Sequence, residues 1–296
     1  MKATKNKKTS APWSIKKMNE VSLLTVDVPD KPTENDWEQY ILLSSDWHWD
    51  NNHCDLKLLR RDLDAAVKKD APIMAFGDLF CLMQGRYDPR RSRCGMRPSL
   101  DHDNYLDRVV GQASDWFAPY AEHLAFASRG NHEISNQRNN DTDVLERFCD
   151  RMKFQGSSVQ TGGIGGWVFI RAMINGKSQT LKLNFHHGAG GGGAVTKGVP
   201  KSAQRAAYLP QADIIVGGHI HQRWQVSITQ DVVSNKGRRS LREQTHICLP
   251  TYKQEYDPTG YDFHNLNERA PKPTGGCWLR LYINQEGKLS YAPIFT

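Results

Sequence analysis

The chain contains no C-x-x-C pair. Its six cysteines stand apart, at positions 54, 81, 94, 149, 248 and 277. That spacing argues against a thiolate zinc site and reads as reduced thiols in a cytoplasmic protein. No apolar run approaches the roughly 18–20 residues of a membrane span, so no membrane partner is expected. No apolar stretch follows the basic start MKATKNKKTSAP, which therefore does not read as a secretory signal. Internal repeats and Pro/Ser-rich linkers are also missing, and 296 residues then suit one large α/β domain. Acidic residues are outnumbered, 32 against 39 Lys and Arg, for a formal net charge of +7. This favours anionic partners without choosing among nucleotides, nucleic acid and phosphoproteins.

Residues 1–20 carry Lys2, Lys5, Lys7, Lys8, Lys16 and Lys17 and read as a flexible basic tail, with the ordered domain over 21–296. Apolar runs predict strands at Val21–Val26, Tyr40–Ser45, 71–76 and Leu124–Ser128. Leu56, Leu59, Leu63 and Val67 share one helical face over 55–69, with Asp55 as N-cap. Two more amphipathic helices fit 103–123 and Thr142–Met152. The second half is strand-rich: Val168–Ile174, Thr180–Phe185, Asp213–Val216, Trp224–Ile228, Thr245–Leu249 and Trp278–Ile283, with one helix near 201–208. A β-α-β-α-β half followed by strands suits two packed sheets flanked by helices.

Five of these strands stop at polar groups. YILLSS leads into Asp46-Trp47-His48, and APIMAF into Gly77-Asp78. LAFAS leads into Arg129-Gly130-Asn131-His132-Glu133, LKLNF into His186-His187-Gly188, and DIIV into Gly217-Gly218-His219-Ile220-His221. Ligands of open α/β sheets bind beyond the strand ends. Each group alone has a bland reading: a satisfied core histidine for D-x-H, a turn for Gly-Asp. H-x-H places both side chains on one face. Taken together the groups offer carboxylate, amide oxygen and imidazole without thiolate, a set suited to borderline divalent cations.

The ordered series D-x-H, GD, GNHE, H and GHxH, over residues 46–221, resembles the calcineurin-like metallophosphoesterase superfamily. The segments WDNNHCDLKLL, GDLFCLMQGRYDPRRSR and NYLDRVV, with the glycine run after His187, resemble bacteriophage-encoded members more particularly. The resemblance implies an α/β fold, a two-layer β-sandwich flanked by α-helices, and two divalent metal ions. Manganese is the first expectation; iron, zinc, nickel and magnesium are the alternatives. Asp46, His48 and His221 would hold the first ion and Asp78 would bridge. Asn131, His219 and one of His186 and His187 would hold the second; His187 is favoured because glycine follows it. His132 would be the proton donor to the leaving group. If phage-encoded, the protein would work in the host cytoplasm.

The sequence departs from the pattern in two places. GDLFCL stands where protein Ser/Thr phosphatases carry GDxxDRG, and DWHWD replaces DxHG, which puts protein phosphatase activity in doubt. Arg129, with Arg90 and Arg91 of the basic loop Arg86, Arg90, Arg91, Arg93 and Arg97, are candidate phosphate contacts; a solvated loop is the alternative. Lys236, Arg238, Arg239 and Arg242 form a second basic cluster. Trp47 and Trp49 suit core packing or stacking on a base. The expectation is hydrolysis of a phosphomonoester or phosphodiester, with nucleotide or nucleic-acid substrates favoured over phosphoproteins. A DNA nuclease, or a catalytically silent nucleic-acid-binding protein on the same fold, are the rivals.

Overall fold

The computed structural model describes residues 11–30, 32, 36–82, 95–193, 195–254, 256 and 270–296. Arg86, Arg90, Arg91 and Arg93 of the basic loop lie outside them. In chain order the elements are β1 (Trp13–Met18), β2 (Val21–Val26), β3 (Glu38–Ser44), α1 (Leu56–Lys68), β4 (Ile73–Phe76), α2 (Tyr105–Phe117), β5 (Leu124–Ser128), α3 (Asn131–Asn140), α4 (Val144–Phe154), β6 (Gln160–Gly162), β7 (Gly165–Ile174), β8 (Lys177–His186), α5 (Val199–Tyr208), β9 (Ile214–Gly217), β10 (Trp224–Val233), β11 (Arg239–Cys248), β12 (Cys277–Ile283) and β13 (Leu289–Phe295).

The strands form two sheets. One runs β1-β2-β7-β8-β9-β11-β10 and the other β13-β12-β3-β4-β5-β6. They pack face to face, as the two-layer α/β sandwich requires. Alternation along the strands sorts the side chains. Ile41, Leu43, Met74, Phe76 and Phe126 point into the core between the sheets with Ile170, Leu183, Val216 and Leu279. Leu42, Ile73, Ala75 and Ala127 point the other way, under α1, α2 and α4. The central strands β3, β4 and β5 are thus covered on both faces, so they read as unbroken apolar runs. On the other sheet α5 packs against β10 and β11.

Four local results follow from side-chain chemistry. The Asp55 carboxylate caps α1 by accepting the Lys57 and Leu58 N–H groups at 3.1 and 2.9 Å. The helix expected over 103–123 stops at Phe117 and continues as a 3-10 turn, Ala118–His123, where Pro119 lacks the N–H of a helix interior. Of the tail expected over 1–20, residues 1–10 lie outside the described residues and Trp13–Met18 form a strand instead. Trp13 and Ile15 face inward while Ser14 and Lys16 face out, and β1 pairs antiparallel with β2. Trp47 and Trp49 are buried, Trp47 stacked on Phe117 with centroids 5.0 Å apart, so the core reading holds for both. Among the described residues no helix is long and apolar enough to cross a membrane.

Candidate functional site

Five ligand-bearing loops leave the C-terminal ends of β3, β4, β5, β8 and β9. Backbone bonds continue the ladders past the strands. Asp46 N–H donates to Gly77 O at 3.0 Å, His48 N–H to Asp78 O at 3.0 Å, and Gly218 N–H to His187 O at 2.9 Å. The two sheets meet where His219 N–H donates to Asp46 Oδ2 at 2.9 Å. This convergence leaves no room for a side chain at Gly130 or Gly218. A Cβ on Gly130 would lie 2.0 Å from Asp78 Oδ1, and one on Gly218 would lie 2.1 Å from Ser45 Oγ. Asp46, His48, Asp78, His219 and His221 all have φ between 45° and 67°, the left-handed region. That costs about 1–2 kcal/mol per residue and is found mainly where a site fixes the backbone.

Each carboxylate has one oxygen held by the protein and one aimed at imidazoles. Asp46 Oδ2 accepts from Ser45 Oγ at 2.6 Å and from His219 N–H; Oδ1 lies 3.2 Å from His221 Nε2 and 3.9 Å from the Nε2 atoms of His48 and His187. Asp78 Oδ1 accepts the His132 N–H at 3.0 Å, while Oδ2 lies 3.0 Å from His187 Nε2 and 3.7 Å from His132 Nε2. His48 and His221 face each other with Nε2 atoms 3.4 Å apart. His187 Nδ1 is fixed by Phe76 O at 2.9 Å, which turns Nε2 into the site.

The electrostatics follow from this packing. Burial alone would raise the Asp46 and Asp78 carboxyls. The imidazoles of His187 and His221 outweigh it at Asp46, and those of His187, His132 and His48 at Asp78, so both stay below the usual carboxylate range. Burial would lower His187, but Asp78 and Asp46 raise it to about 10. Burial, with His132 nearby, pushes His48 well below its ordinary value, and burial likewise lowers His219.

Asn131 opens α3, and its Oδ1 is buried without a hydrogen-bond partner, as is His48 Nδ1. Orphaned buried polar atoms are costly in a native fold and mark a place where something else binds. The described donors form three groups close enough to hold a cation: Asp46, His48 and His221; Asp78, His187 and His219; and His48, Cys81 and His132, which shares His48 with the first. The first two need no thiolate, and burial pushes the Cys81 thiol of the third up to about 12.

Of the expected residues, Asp46, His48, Asp78, Asn131, His132, His187, His219 and His221 come together. His186 does not. It precedes His187 as the last residue of β8, and its Nδ1 accepts the Gly188 N–H at 3.0 Å; adjacent residues of a strand end point to opposite sides. Arg129 is also not a free phosphate contact. Its guanidinium donates to Asp143, to Glu146 Oε2 at 3.0 Å and to Gly162 O at 2.9 Å. In the second basic cluster, Arg239 pairs with Asp231, and Arg242 with Asp213 at 2.8 Å. Arg97 lies over the Trp49 ring, 5.2 Å from its centroid, and donates to Asn51 O at 3.3 Å.

Two supporting carboxylates had no assigned role. Glu133 accepts the N–H groups of Asp78, Phe80 and Gly130 at 3.0, 3.0 and 2.8 Å, tying the Gly-Asp loop to the start of α3. Burial and the Asp78 charge raise it to about 8, against the pull of the N–H groups. Asp50 accepts the Cys81 and Leu82 N–H groups and the Tyr105 hydroxyl. The sequence signal was the second aspartate of Asp46-Trp47-His48-Trp49-Asp50.

The calcineurin-like phosphoesterase family pattern matches residues 40–223, more than half of the chain and all five loops. Among curated proteins none matches the sequence. Solved structures give loose likenesses. Vps29 complexed with zinc from Entamoeba histolytica has 9% identity and a TM-score of 0.34, over 87% of this chain and 99% of that one. A predicted phosphoesterase from Streptococcus pneumoniae TIGR4 has 13% identity and a TM-score of 0.30, over 88% and 99%. The GAP50 anchor of the Plasmodium inner membrane complex has 12% identity and a TM-score of 0.42, over 87% and 84%.

Proposed function

Because the chain belongs to the calcineurin-like phosphoesterase family, we propose that it hydrolyses a phosphate ester at a site holding two divalent metal ions. Asp46, His48 and His221 would hold one ion, and Asn131, His187 and His219 the other. Asp78, whose Oδ1 accepts the His132 N–H, would serve both ions through its carboxylate. The observation that carries this reading is the donor set itself: Asp46, His48 and His221 cluster, as do Asp78, His187 and His219, and Asn131 Oδ1 is buried without a partner. When bound, the two ions would polarise the phosphoryl group and supply an activated water.

The chain's own groups do the rest. Ser45 and the His219 N–H orient Asp46. Glu133 fixes the Gly-Asp loop. His132 turns Nδ1 to the Cys81 carbonyl, which leaves Nε2 facing the site. In its protonated form it would give that Nε2 proton to the leaving oxygen, the role of a general acid. A full set of competent donors favours an enzyme over a silent binding protein. Among the described residues, Arg239, Arg242 and Arg129 are paired with acids, which removes three candidate contacts to a nucleic-acid backbone. The reading therefore favours small phosphate esters over DNA.

The test is reconstitution with Mn²⁺, metal counting, and a panel of p-nitrophenyl mono- and diesters, cyclic nucleotides, DNA ends and phosphopeptides. Close to two ions per chain and turnover of a small ester are expected. A loaded protein inactive on the whole panel, or an Asp78→Ala variant with full activity, would overturn the proposal.

A further inference from the structure

On the far side of β8 and β9 from the acid–imidazole cluster lies a cavity of about 340 Å³. It sits under α5. His186, Lys201, Ser202, Arg205, Ile220 and Trp224 line it, and none of the proposed metal ligands does. The volume lies within the range of small-molecule sites. Its two walls differ in chemistry. Lys201 and Arg205, one turn apart on α5, present cations on one side, with the Ser202 hydroxyl between them. Ile220, Ile247 and the Trp224 ring form an apolar side.

No Asp or Glu is among the described lining residues. Arg205 is half-buried, and its guanidinium reaches uncharged oxygens, Asn184 Oδ1 at 2.6 Å, Val216 O at 3.5 Å and the Tyr208 hydroxyl. Lys201 Nζ likewise meets a backbone carbonyl, Ala189 O at 2.7 Å. Arg205, partly desolvated beside a cavity without a carboxylate, lacks a counter-charge there, and the exposed Lys201 adds a second cation at the mouth.

We infer that this cavity is a second ligand site that takes a small organic phosphate monoester. The phosphate would lie between Lys201 and Arg205, and the apolar body against Ile220 and Trp224. A phosphate monoester fits better than a carboxylate because it carries close to two negative charges and accepts the guanidinium fork. Bare phosphate would leave the apolar wall and most of the volume unused. This inference does not depend on hydrolysis at the neighbouring cluster.

The experiment is isothermal titration of the full chain, metal-chelated, with AMP and with inorganic phosphate at low ionic strength. One saturable AMP site is expected, at least tenfold tighter than phosphate. Lys201→Glu, on an exposed side chain that the fold does not need, should weaken AMP at least tenfold. Asp78→Ala, which breaks the metal cluster, should leave AMP affinity unchanged. The assignment is overturned by any of four results: no saturable AMP binding, AMP no tighter than phosphate, equal affinity in Lys201→Glu, or binding lost in Asp78→Ala.

Discussion

Asp50 and His132 are joined through one residue. Asp50 accepts the Cys81 N–H, and the Cys81 carbonyl faces His132 Nδ1. Tyr105 donates to the same carboxylate, and Asp50 Oδ2 also accepts the Leu82 N–H at 3.0 Å. A buried carboxylate therefore fixes the backbone that fixes the imidazole. In this chain a carbonyl, not a carboxylate, orients His132.

The first prediction concerns that arrangement. Asp50→Ala leaves two buried N–H groups and a hydroxyl unpaired, which costs about 1–3 kcal/mol per group. With the Cys81 carbonyl loosened, turnover of esters with poor leaving groups should fall by roughly tenfold or more. Metal content should stay near wild type. Tyr105→Phe should show a smaller version of both effects. Unchanged turnover in Asp50→Ala would show that His132 needs no such support.

His132→Ala should retain its metal ions and lose roughly 10²–10⁴-fold in turnover on alkyl phosphates. The loss should shrink for p-nitrophenyl esters, whose leaving group departs without a proton. Equal losses on both substrates would rule out a general acid at this position.

Metal content separates the adjacent histidines. His187→Ala should lose the second ion, because Nε2 faces Asp78 at 3.0 Å. His186→Ala should keep both ions, its ring lying in the cavity under α5. Elemental analysis of the two variants decides it, and the opposite pattern would reverse the assignment.

Much of the fold was legible because the buried strands are apolar and short. LAFAS matched β5 to the residue, and the five polar interruptions became the five loops of the site. The misses have physical causes. β1 was hidden by its lysines, although Trp13 and Ile15 alternate inward. α3 shows no apolar stripe; its buried residues are Glu133 and Asn136, and polar bonds at its start anchor it. β13 contains Pro293, tolerated because the strand lies at the sheet edge. Sequence order placed Arg239 and Arg242 near the site but could not show Asp231 and Asp213 neutralising them.

Glu133 offers a stability test. Glu133→Gln replaces one acceptor with an NH₂ group facing backbone N–H donors. The expected cost is on the order of 1–3 kcal/mol, read as a lower urea midpoint. Weaker metal retention should accompany it, since Asp78 N–H is one of the three donors. A variant as stable as wild type would mean that the clamp contributes little.

Acid stability should carry a signature of His246. Its ring is buried in β11, with Nδ1 3.0 Å from Ser202 Oγ and Nε2 3.0 Å from Gln244 Oε1. Burial, and then the nearby Arg205 charge, lower it from 6.5 to about 4. The folded protein thus holds His246 neutral where the unfolded chain would protonate it. The unfolded state binds more protons between these values, so stability rises with pH there. The contribution is complete above about pH 6.5 and is lost progressively as the pH falls toward about 4. His187 has the opposite sign: raised to about 10, it stabilises below 6.5 and loses its effect as the pH climbs through 10. It therefore does not mask the acid limb. Urea midpoints of the metal-free chain at pH 7 and 4.5 should differ more for wild type than for His246→Gln, which carries no titrating ring. The same pH dependence in both proteins would show that His246 can take its proton without leaving the fold.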